Sequence, residues 1–243
     1  MSDPDYENLF KGKPGTVLGA QRDSEPEVAP QAEKLVETKM RWAEEKRQPA
    51  LKPRPWQKQG RRLPPGQDLT NDFPVLDLGN RPMVDLRDWR LTVAGAVARP
   101  IDWDWQAFQA APQSTITCDI HCVTSWSRFD NAWQGVAGHT LLEIVQPRPT
   151  ARHLVFHGHD GYTTNLPIER FAAEDALLAH SWQGEPLARE HGGPVRAVVP
   201  SLYFWKSAKW VRHIAVLEHD APGYWETCGY HNEGNPWKQQ RYG

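Results

Sequence analysis

Cys122 stands where a strand-like segment gives way to a polar loop, a position from which a thiolate can reach a pocket. Residues 114–122 read Ser-Thr-Ile-Thr-Cys-Asp-Ile-His-Cys, and Val-Thr-Ser-Trp-Ser-Arg-Phe-Asp follows. A thiolate placed in this way can act as a nucleophile or as a ligand to a soft metal. No adjacent base identifies a nucleophile, so spacing alone leaves a metal ligand and a buried inert thiol both open.

Cys118 precedes Cys122 by four residues, and the period of a strand predicts that both thiols face the same side. Four strand residues span about 13 Å, roughly twice the Cα separation that a disulfide accepts. We therefore expect Cys118 to be a small core residue. Three cysteines, the third being Cys228, are too few for a disulfide framework and favour free thiols in a reducing compartment.

Two further segments carry groups that could bind a ligand. His153, His157, His159 and Asp160 are a potential zinc cluster, because two histidines one residue apart at a strand end can grip that metal. Solvated loop histidines are the alternative. A second segment runs from His191-Gly-Gly-Pro-Val-Arg196 to Lys209.

That second segment combines glycines, cations and a hydroxyl, the chemistry that holds a phosphate or an electron-rich ring. Solvent-exposed charge is again the alternative, except at Arg196, which lies in an apolar strand where an unpaired guanidinium is costly. The chain contains no GxGxxG or Walker-type loop, so nothing indicates a Rossmann or P-loop nucleotide site.

Short apolar segments separated by turn residues must position these groups, and they predict an α+β domain over residues 70–243. The predicted strands are Leu91–Val97, Ser114–Cys122, His153–Phe156, Pro194–Val199 and Trp210–Glu218. Helices are predicted over Ile168–His180 and, shorter, over Leu141–Val145.

Residues 1–69 are polar and proline-rich and are predicted to form an N-terminal arm, with one helix-like stretch at Gln31–Gln48. The formal charge of -2 provides no global field for nucleic acid or anionic lipid. Apolar stretches are too short for a membrane span, and the start lacks an export signal. We therefore expect a soluble, cytoplasmic protein. The twelve tryptophans indicate a wide aromatic core.

Five ordered motifs together resemble the sulfite-oxidase-like molybdopterin oxidoreductases, in particular small soluble members related to the catalytic subunit of bacterial periplasmic methionine-sulfoxide reductase. The motifs are Asp119-Ile-His-Cys-Val-Thr-Ser-Trp-Ser127, Trp133-Gln-Gly-Val136, Gly161-Tyr-Thr-Thr-Asn-Leu-Pro167, Gly193-Pro-Val-Arg196 and Lys206-Ser-Ala-Lys-Trp210. The resemblance covers about residues 71–217. It implies the sulfite-oxidase-type fold, with mixed sheets and flanking helices.

The resemblance also implies a cofactor, molybdenum held on molybdopterin, with Cys122 as the only protein ligand to the metal. The residues that it implies for the pterin and its phosphate are Asn71, Pro74, Val75, His191, Arg196, Ser207, Ala208 and Lys209. His191 stands where periplasmic relatives have asparagine and can still donate a hydrogen bond. We expect Tyr162 and Arg128 on the substrate side, as a hydroxyl donor and an anion-attracting cation.

The expected activity is two-electron oxygen-atom transfer on a small sulfur- or nitrogen-oxide substrate, with an external electron-transfer partner. Few cations are close to Cys122 in sequence, which slightly favours sulfoxide reduction. Sulfite oxidation stays open, because folding could bring Arg128, Lys206 and Arg212 together. Two other classes also stay open: a zinc hydrolase that uses His157 and His159, and a non-catalytic cofactor carrier.

Overall fold

The strands of the protein form two mixed sheets in a computed structural model that describes residues 62–243. The strands are β1 (Asp68–Leu69), β2 (Arg90–Gly95), β3 (Ile101–Asp104), β4 (Ser114–His121), β5 (Trp126–Ala137), β6 (His153–Gly158), β7 (Thr163–Pro167), β8 (Leu177–Trp182), β9 (Glu185–Pro186), β10 (Arg196–Val198) and β11 (Val211–Leu217). All five predicted strands are present, with ends shifted by a few residues.

The first sheet has the order β1-β5-β8-β10, with β4 also paired to β5 and β9 to β8. The second has the order β3-β2-β11-β6-β7. Pairing is antiparallel except between β1 and β5 and between β2 and β11. One large core cluster contains side chains of both sheets, among them Val136 and Leu178 of the first and Leu154 and Ile214 of the second. This arrangement confirms the predicted α+β class.

Helices are few and short among the described residues: α1 (Trp105–Ala110), α2 (Gly138–Val145), α3 (Ile168–Phe171) and α4 (Tyr224–Thr227). Helix α2 contains the shorter predicted helix. The prediction of one helix over Ile168–His180 is wrong, because α3 ends after one turn and Leu177–Trp182 is β8. Strand β8 lies between β5 and β10, and its backbone pairing outweighs a local pattern that also fits a helix. None of these helices is long and apolar enough to span a bilayer.

The segment after Cys122, predicted as a polar loop, is a three-residue turn followed by the twelve-residue strand β5. Strands β4 and β5 form a hairpin whose register shifts between Cys118 and Ile120. Cys118 packs with Ile120 on a small second core cluster, whereas Cys122 belongs to the large one. The two thiols therefore do not share a packing environment, because Cys122 lies beyond the end of the regular strand.

The last residues assigned to the N-terminal arm belong to the sheet. Strand β1 pairs in parallel with the start of β5, at Trp126 and Ser127, and Gln67 just before it is buried. The helix-like stretch at Gln31–Gln48 lies outside the described residues. The aromatic core expected from the tryptophan count is present, with Trp89, Trp133 and Trp210 fully buried.

Candidate functional site

A cleft of about 810 Å³, counting its open mouth, lies where the β4–β5 turn meets the segments around β10 and the C-terminal residues. Its wall is largely aromatic and apolar, with a few polar groups. Its polar groups and aromatic rings include Cys122, Thr124, Asp77, Asp160, His191, Arg196, Ser207, Lys209, Phe73, Tyr162, Trp225 and Tyr230.

Cys122 is fixed on this wall by the tight turn that joins β4 to β5. Its N–H donates to the carbonyl of Trp126 (2.8 Å), and its own carbonyl accepts from the N–H of Ser125 (3.0 Å). Ser125 has φ 73°, the left-handed conformation that reverses the chain within so few residues. The thiol lies 3.1 Å from the hydroxyl of Thr124. The Cys122 backbone is therefore held on both sides while its sulfur faces the cleft.

A buried chain of hydrogen bonds supports the turn from behind. The side-chain N–H of Gln67 donates to the Cys122 carbonyl (3.1 Å), and the Ser127 hydroxyl donates to the Gln67 carbonyl oxygen (3.2 Å). Nδ1 of His121 lies 2.9 Å from the same hydroxyl, so Nδ1 is the donor of that pair. Burial lowers the pKa of His121 to about 4, and the ring is neutral at pH 7. Sequence reasoning missed Gln67, because nothing local connects it to Cys122.

Arg196 is a fully buried cation on the cleft wall, and its partners are carbonyls. The guanidinium donates to the carbonyls of His191 (2.8 Å), Ser207 (2.9 Å) and Ala197 (3.3 Å), and it stacks on the ring of Phe204 at 4.1 Å. Burial lowers its pKa to about 9. No carboxylate lies within ion-pair distance of Arg196 among the described residues. Such a buried charge is costly unless a bound anion compensates it.

Lys209 adds a second cation near Arg196. Its ammonium donates to the carbonyl of Glu190 (2.7 Å) and lies 3.9 Å from Asp77, which is itself paired with Arg81. Burial, assisted by repulsion from Arg196, lowers the pKa of Lys209 to about 7. His191 completes the group with a ring stacked on Phe73 at 3.9 Å. This end of the cleft therefore offers two cations to a bound anion. Lys209 has the lower pKa of the two and loses its proton more easily than Arg196.

The lowered pKa of Lys209 predicts a pH dependence in the cofactor-free protein. A base with a pKa of about 7 in the folded state and 10.5 in the unfolded state destabilises the fold fully below pH 7, and the penalty is relieved between about pH 7 and 10. We expect the free energy of unfolding to rise over this window in urea titrations, and to rise less in Lys209→Met. Lys238→Met, which removes a well-exposed ammonium, is the control. Equal slopes in wild type and Lys209→Met would contradict the prediction.

Aromatic side chains form the wall beside Cys122. Tyr162 lines the cleft, but its hydroxyl donates to the carbonyl of Trp205 (2.7 Å), so its one proton is engaged there. Burial raises the pKa values of Tyr203 and Tyr230, and a negative charge on Cys122 would raise both further. Tyr230 and Trp225 come from the C-terminal tail, defined here as residues 220–243, and both line the cleft. Sequence reasoning missed both residues; the dense aromatic run Tyr224-Trp225 and Tyr230 was the available signal.

The structure brings together most, though not all, of the residues expected at the site. Cys122, Tyr162, Pro74, His191, Arg196, Ser207 and Lys209 all line the cleft. Asn71, Val75, Ala208 and Arg128 are not among its lining residues. Arg128 on β5 instead donates to the Asn71 carbonyl (3.2 Å) and the Asn131 side chain (2.5 Å) and covers the ring of Trp182. Its guanidinium is therefore engaged by groups that do not line the cleft.

The histidines of the zinc alternative are held within the second sheet. His157 of β6 pairs in register with His213 of β11, their rings 5.2 Å apart, and His213 bonds the hydroxyl of Thr92 (2.6 Å). His159 continues from the end of β6, and burial lowers its pKa. Within residues 62–243 no three His, Cys, Asp or Glu side chains are grouped so as to hold a metal ion. Among residues 62–243, the zinc alternative therefore finds no set of three ligands at His157 and His159.

The cleft fits the cofactor that the resemblance implies. A molybdopterin carries a phosphate, which the uncompensated cation of Arg196 and the ammonium of Lys209 can neutralise. A molybdenum ion carried by that pterin requires a soft ligand, and the thiol of Cys122 faces the same cleft. The cleft therefore offers cations for the phosphate of the cofactor and a thiol for its metal.

Comparisons with known proteins agree with this geometry. Residues 78–225 match the family described as the oxidoreductase molybdopterin binding domain. The chain is 46% identical over 185 residues to the uncharacterized oxidoreductase YuiH of Bacillus subtilis, covering 76% of this chain and 93% of that protein. It is 29% identical over 171 residues to the protein-methionine-sulfoxide reductase catalytic subunit MsrP of Gluconobacter oxydans, covering 61% of this chain but only 54% of that protein.

A solved structure shows the same fold. The sulfane dehydrogenase SoxCD of Paracoccus pantotrophus superimposes with a TM-score of 0.53 at 24% identity, covering 57% of this chain and 40% of that one. The sulfite-oxidase-type fold and the molybdopterin cofactor predicted from the motifs are confirmed. The chain belongs to the oxidoreductase molybdopterin-binding domain family, and it is a molybdopterin-dependent oxidoreductase.

Proposed function

We propose that the protein reduces sulfoxides by two-electron oxygen-atom transfer, with Cys122 as the protein ligand to molybdenum. When bound, the cofactor supplies the two electrons and takes up the oxygen atom, so that a sulfoxide, two electrons and two protons yield a sulfide and water. Arg196, Lys209, Ser207, His191 and Pro74 would hold the pterin and its phosphate. The rigid turn around Cys122 would hold the metal at one fixed position on the cleft wall.

The aromatic wall beside Cys122 supports an organic substrate. Tyr230 and Trp225 offer apolar surface to the substituents of a sulfoxide, whereas a sulfite dianion needs a cluster of cations. Arg128, Lys206 and Arg212, the cations that could have formed such a cluster, are absent from the lining of the cleft. Lys206 is paired with Glu226, and Arg128 covers Trp182.

Paired assays test the direction of the reaction. We expect the cofactor-loaded protein to reduce methyl phenyl sulfoxide with a viologen donor, and to oxidise sulfite with a kcat/KM at least about tenfold lower. Trp225→Ala should raise the KM for the sulfoxide about tenfold or more, because it removes apolar contact. Trp237→Ala, which truncates an exposed ring outside the cleft, should leave KM unchanged. Fast sulfite turnover without sulfoxide turnover would overturn the proposal in favour of sulfite oxidation.

Metal analysis of the purified protein tests the two other classes. Stoichiometric molybdenum with pterin is expected. Zinc in its place would indicate the hydrolase, and molybdenum without turnover of any sulfur or nitrogen oxide would indicate a cofactor carrier.

An external electron carrier would supply the two electrons of this reaction. A reducing compartment such as the cytoplasm is supported by the three cysteines, which form no disulfide. Fractionation of cells followed by immunodetection would test the location, and recovery outside the cytoplasm would contradict it.

A further inference from the structure

A buried ion pair lies directly behind the aromatic wall of the cleft. The ammonium of Lys206 is 2.6 Å from Oε1 of Glu226, and the two side chains are 0% and 2% exposed. Lys206 also donates to the backbone carbonyl (2.7 Å) and the side-chain oxygen (3.0 Å) of Asn165 on β7. All three ammonium protons are therefore used, and the pair joins the 3-10 turn at 204–206 to β7 and to the tail.

Glu226 collects three donors on a single oxygen. Besides Lys206, the indole N–H of Trp205 (2.9 Å) and the hydroxyl of Thr164 (3.1 Å) donate to Oε1, while Oε2 is buried without a hydrogen-bond partner among residues 62–243. A carboxylate with one unpartnered oxygen is not an optimal way to stabilise a core, because that oxygen is desolvated without compensation. The three bonds to Oε1 fix the direction of the Glu226 side chain, and Oε2 is desolvated as a result.

Glu226 lies on helix α4 immediately after Trp225, and Tyr230 follows four residues later. Gly223, just before this helix, packs so closely on β7 that an added Cβ would meet the Cα of Thr164 at 2.5 Å. The tail is fixed again at Gly234, whose carbonyl accepts from the N–H of Tyr203 (2.7 Å). The two cleft-lining aromatics are thus carried on a short segment held at both ends, with the ion pair in its middle.

We infer that the Lys206–Glu226 pair is a positioning device for the substrate wall, acting through Trp225 and Tyr230 and not through the cofactor. The family match, which ends at residue 225, includes Lys206 and Trp225 as well as Arg196 and Lys209, whereas Glu226 and Tyr230 lie beyond it. Loss of the pair leaves one buried charge unpaired and displaces α4. A displacement of about 1 Å at a substrate-contacting group can cost about 100-fold in rate.

Glu226→Gln in the full-length, cofactor-loaded protein tests this inference, which rests on the proposed function for its substrate. We expect the KM for methyl phenyl sulfoxide to rise about tenfold to 100-fold with molybdenum and pterin content unchanged. Lys206→Met/Glu226→Gln, which removes both charges, should recover most of that loss. Asp85→Asn, which weakens the exposed pair with Arg87, is the matched control and should change nothing.

A readout that needs no substrate separates this inference from the proposed function. In protein labelled with 5-fluorotryptophan, the Trp225 resonance, assigned with Trp225→Phe, should shift in Glu226→Gln and return towards its original position in the double variant. Glu226→Asp, which keeps the charge but retracts the carboxylate, should also shift it and serves if Glu226→Gln fails to fold. An unmoved resonance, or equal loss of cofactor content in single and double variants, would overturn the inference. If the wild type fails to reduce sulfoxides but the resonance shifts as expected, the proposed sulfoxide substrate is wrong and the inferred role of the ion pair stands.

Discussion

Cys122→Ser is expected to abolish turnover, with a loss of more than about 100-fold in kcat, since even residues that only support a metal ligand typically contribute 10- to 100-fold. The hydroxyl is a poor ligand for a soft metal, so the charge-transfer absorption from the Cys122 sulfur to molybdenum should disappear as well. The Cys122 backbone is held by the N–H groups of Ser125 and Gln67, and the serine variant should keep the fold.

Cys118→Ser is the control for this prediction. That thiol is partly buried, packs on the second core cluster, and has a pKa raised to about 12 by burial. Its replacement should affect stability without altering the optical spectrum. An unchanged spectrum and rate in Cys122→Ser would show that Cys122 is not the ligand.

Arg196→Met is expected to weaken cofactor retention about 100-fold, because its guanidinium is the fully buried cation that a phosphate would compensate. The wild type should gain about 4 kcal/mol in unfolding free energy when the free cofactor is about 1,000-fold above its Kd. A 100-fold weaker Kd would reduce that gain by about 2.7 kcal/mol. The measurement is the difference in unfolding free energy between loaded and cofactor-free forms of each variant.

Arg212→Met removes a guanidinium that is exposed and donates to the Gly158 carbonyl, and it should leave the cofactor-dependent gain intact. The cofactor-free forms provide a further check. There, loss of the buried Arg196 charge removes an electrostatic penalty but leaves three carbonyls without their donor, so the two effects oppose each other. A full cofactor-dependent gain in Arg196→Met would remove Arg196 from the proposed binding site.

Local sequence patterns were sufficient to locate the central groups of this site. The strand pattern of residues 114–122 placed Cys122 at the end of a strand. The position of Arg196 inside an apolar strand indicated that its charge needs a partner. Both inferences use only the neighbours of one residue in the chain. The family motifs add the identity of the cofactor, which neither spacing nor periodicity supplies.

Long-range pairing explains what local patterns missed. Strand β5 contains Asp130, Asn131 and Gly135, which favour turns, and forms because it pairs with β1, β4 and β8 at once. Leu177 and Leu178 fit a helical face as well as a strand, and only the position of β8 between β5 and β10 decides. Tyr230 packs on Trp205, and Glu226 accepts from Thr164, Trp205 and Lys206; no local window includes these contacts.

The turn that carries Cys122 receives bonds from both ends of the described chain. Gln67 binds the Cys122 carbonyl from one end, while Arg241 donates to the carbonyls of Val123 and Gly66 from the other. Contacts this distant in sequence require closure of very long loops and are formed at a high entropic cost. The geometry of the cleft-facing thiol is thus a property of the completed fold, and residues 78–225 alone would present Cys122 on a turn lacking both braces.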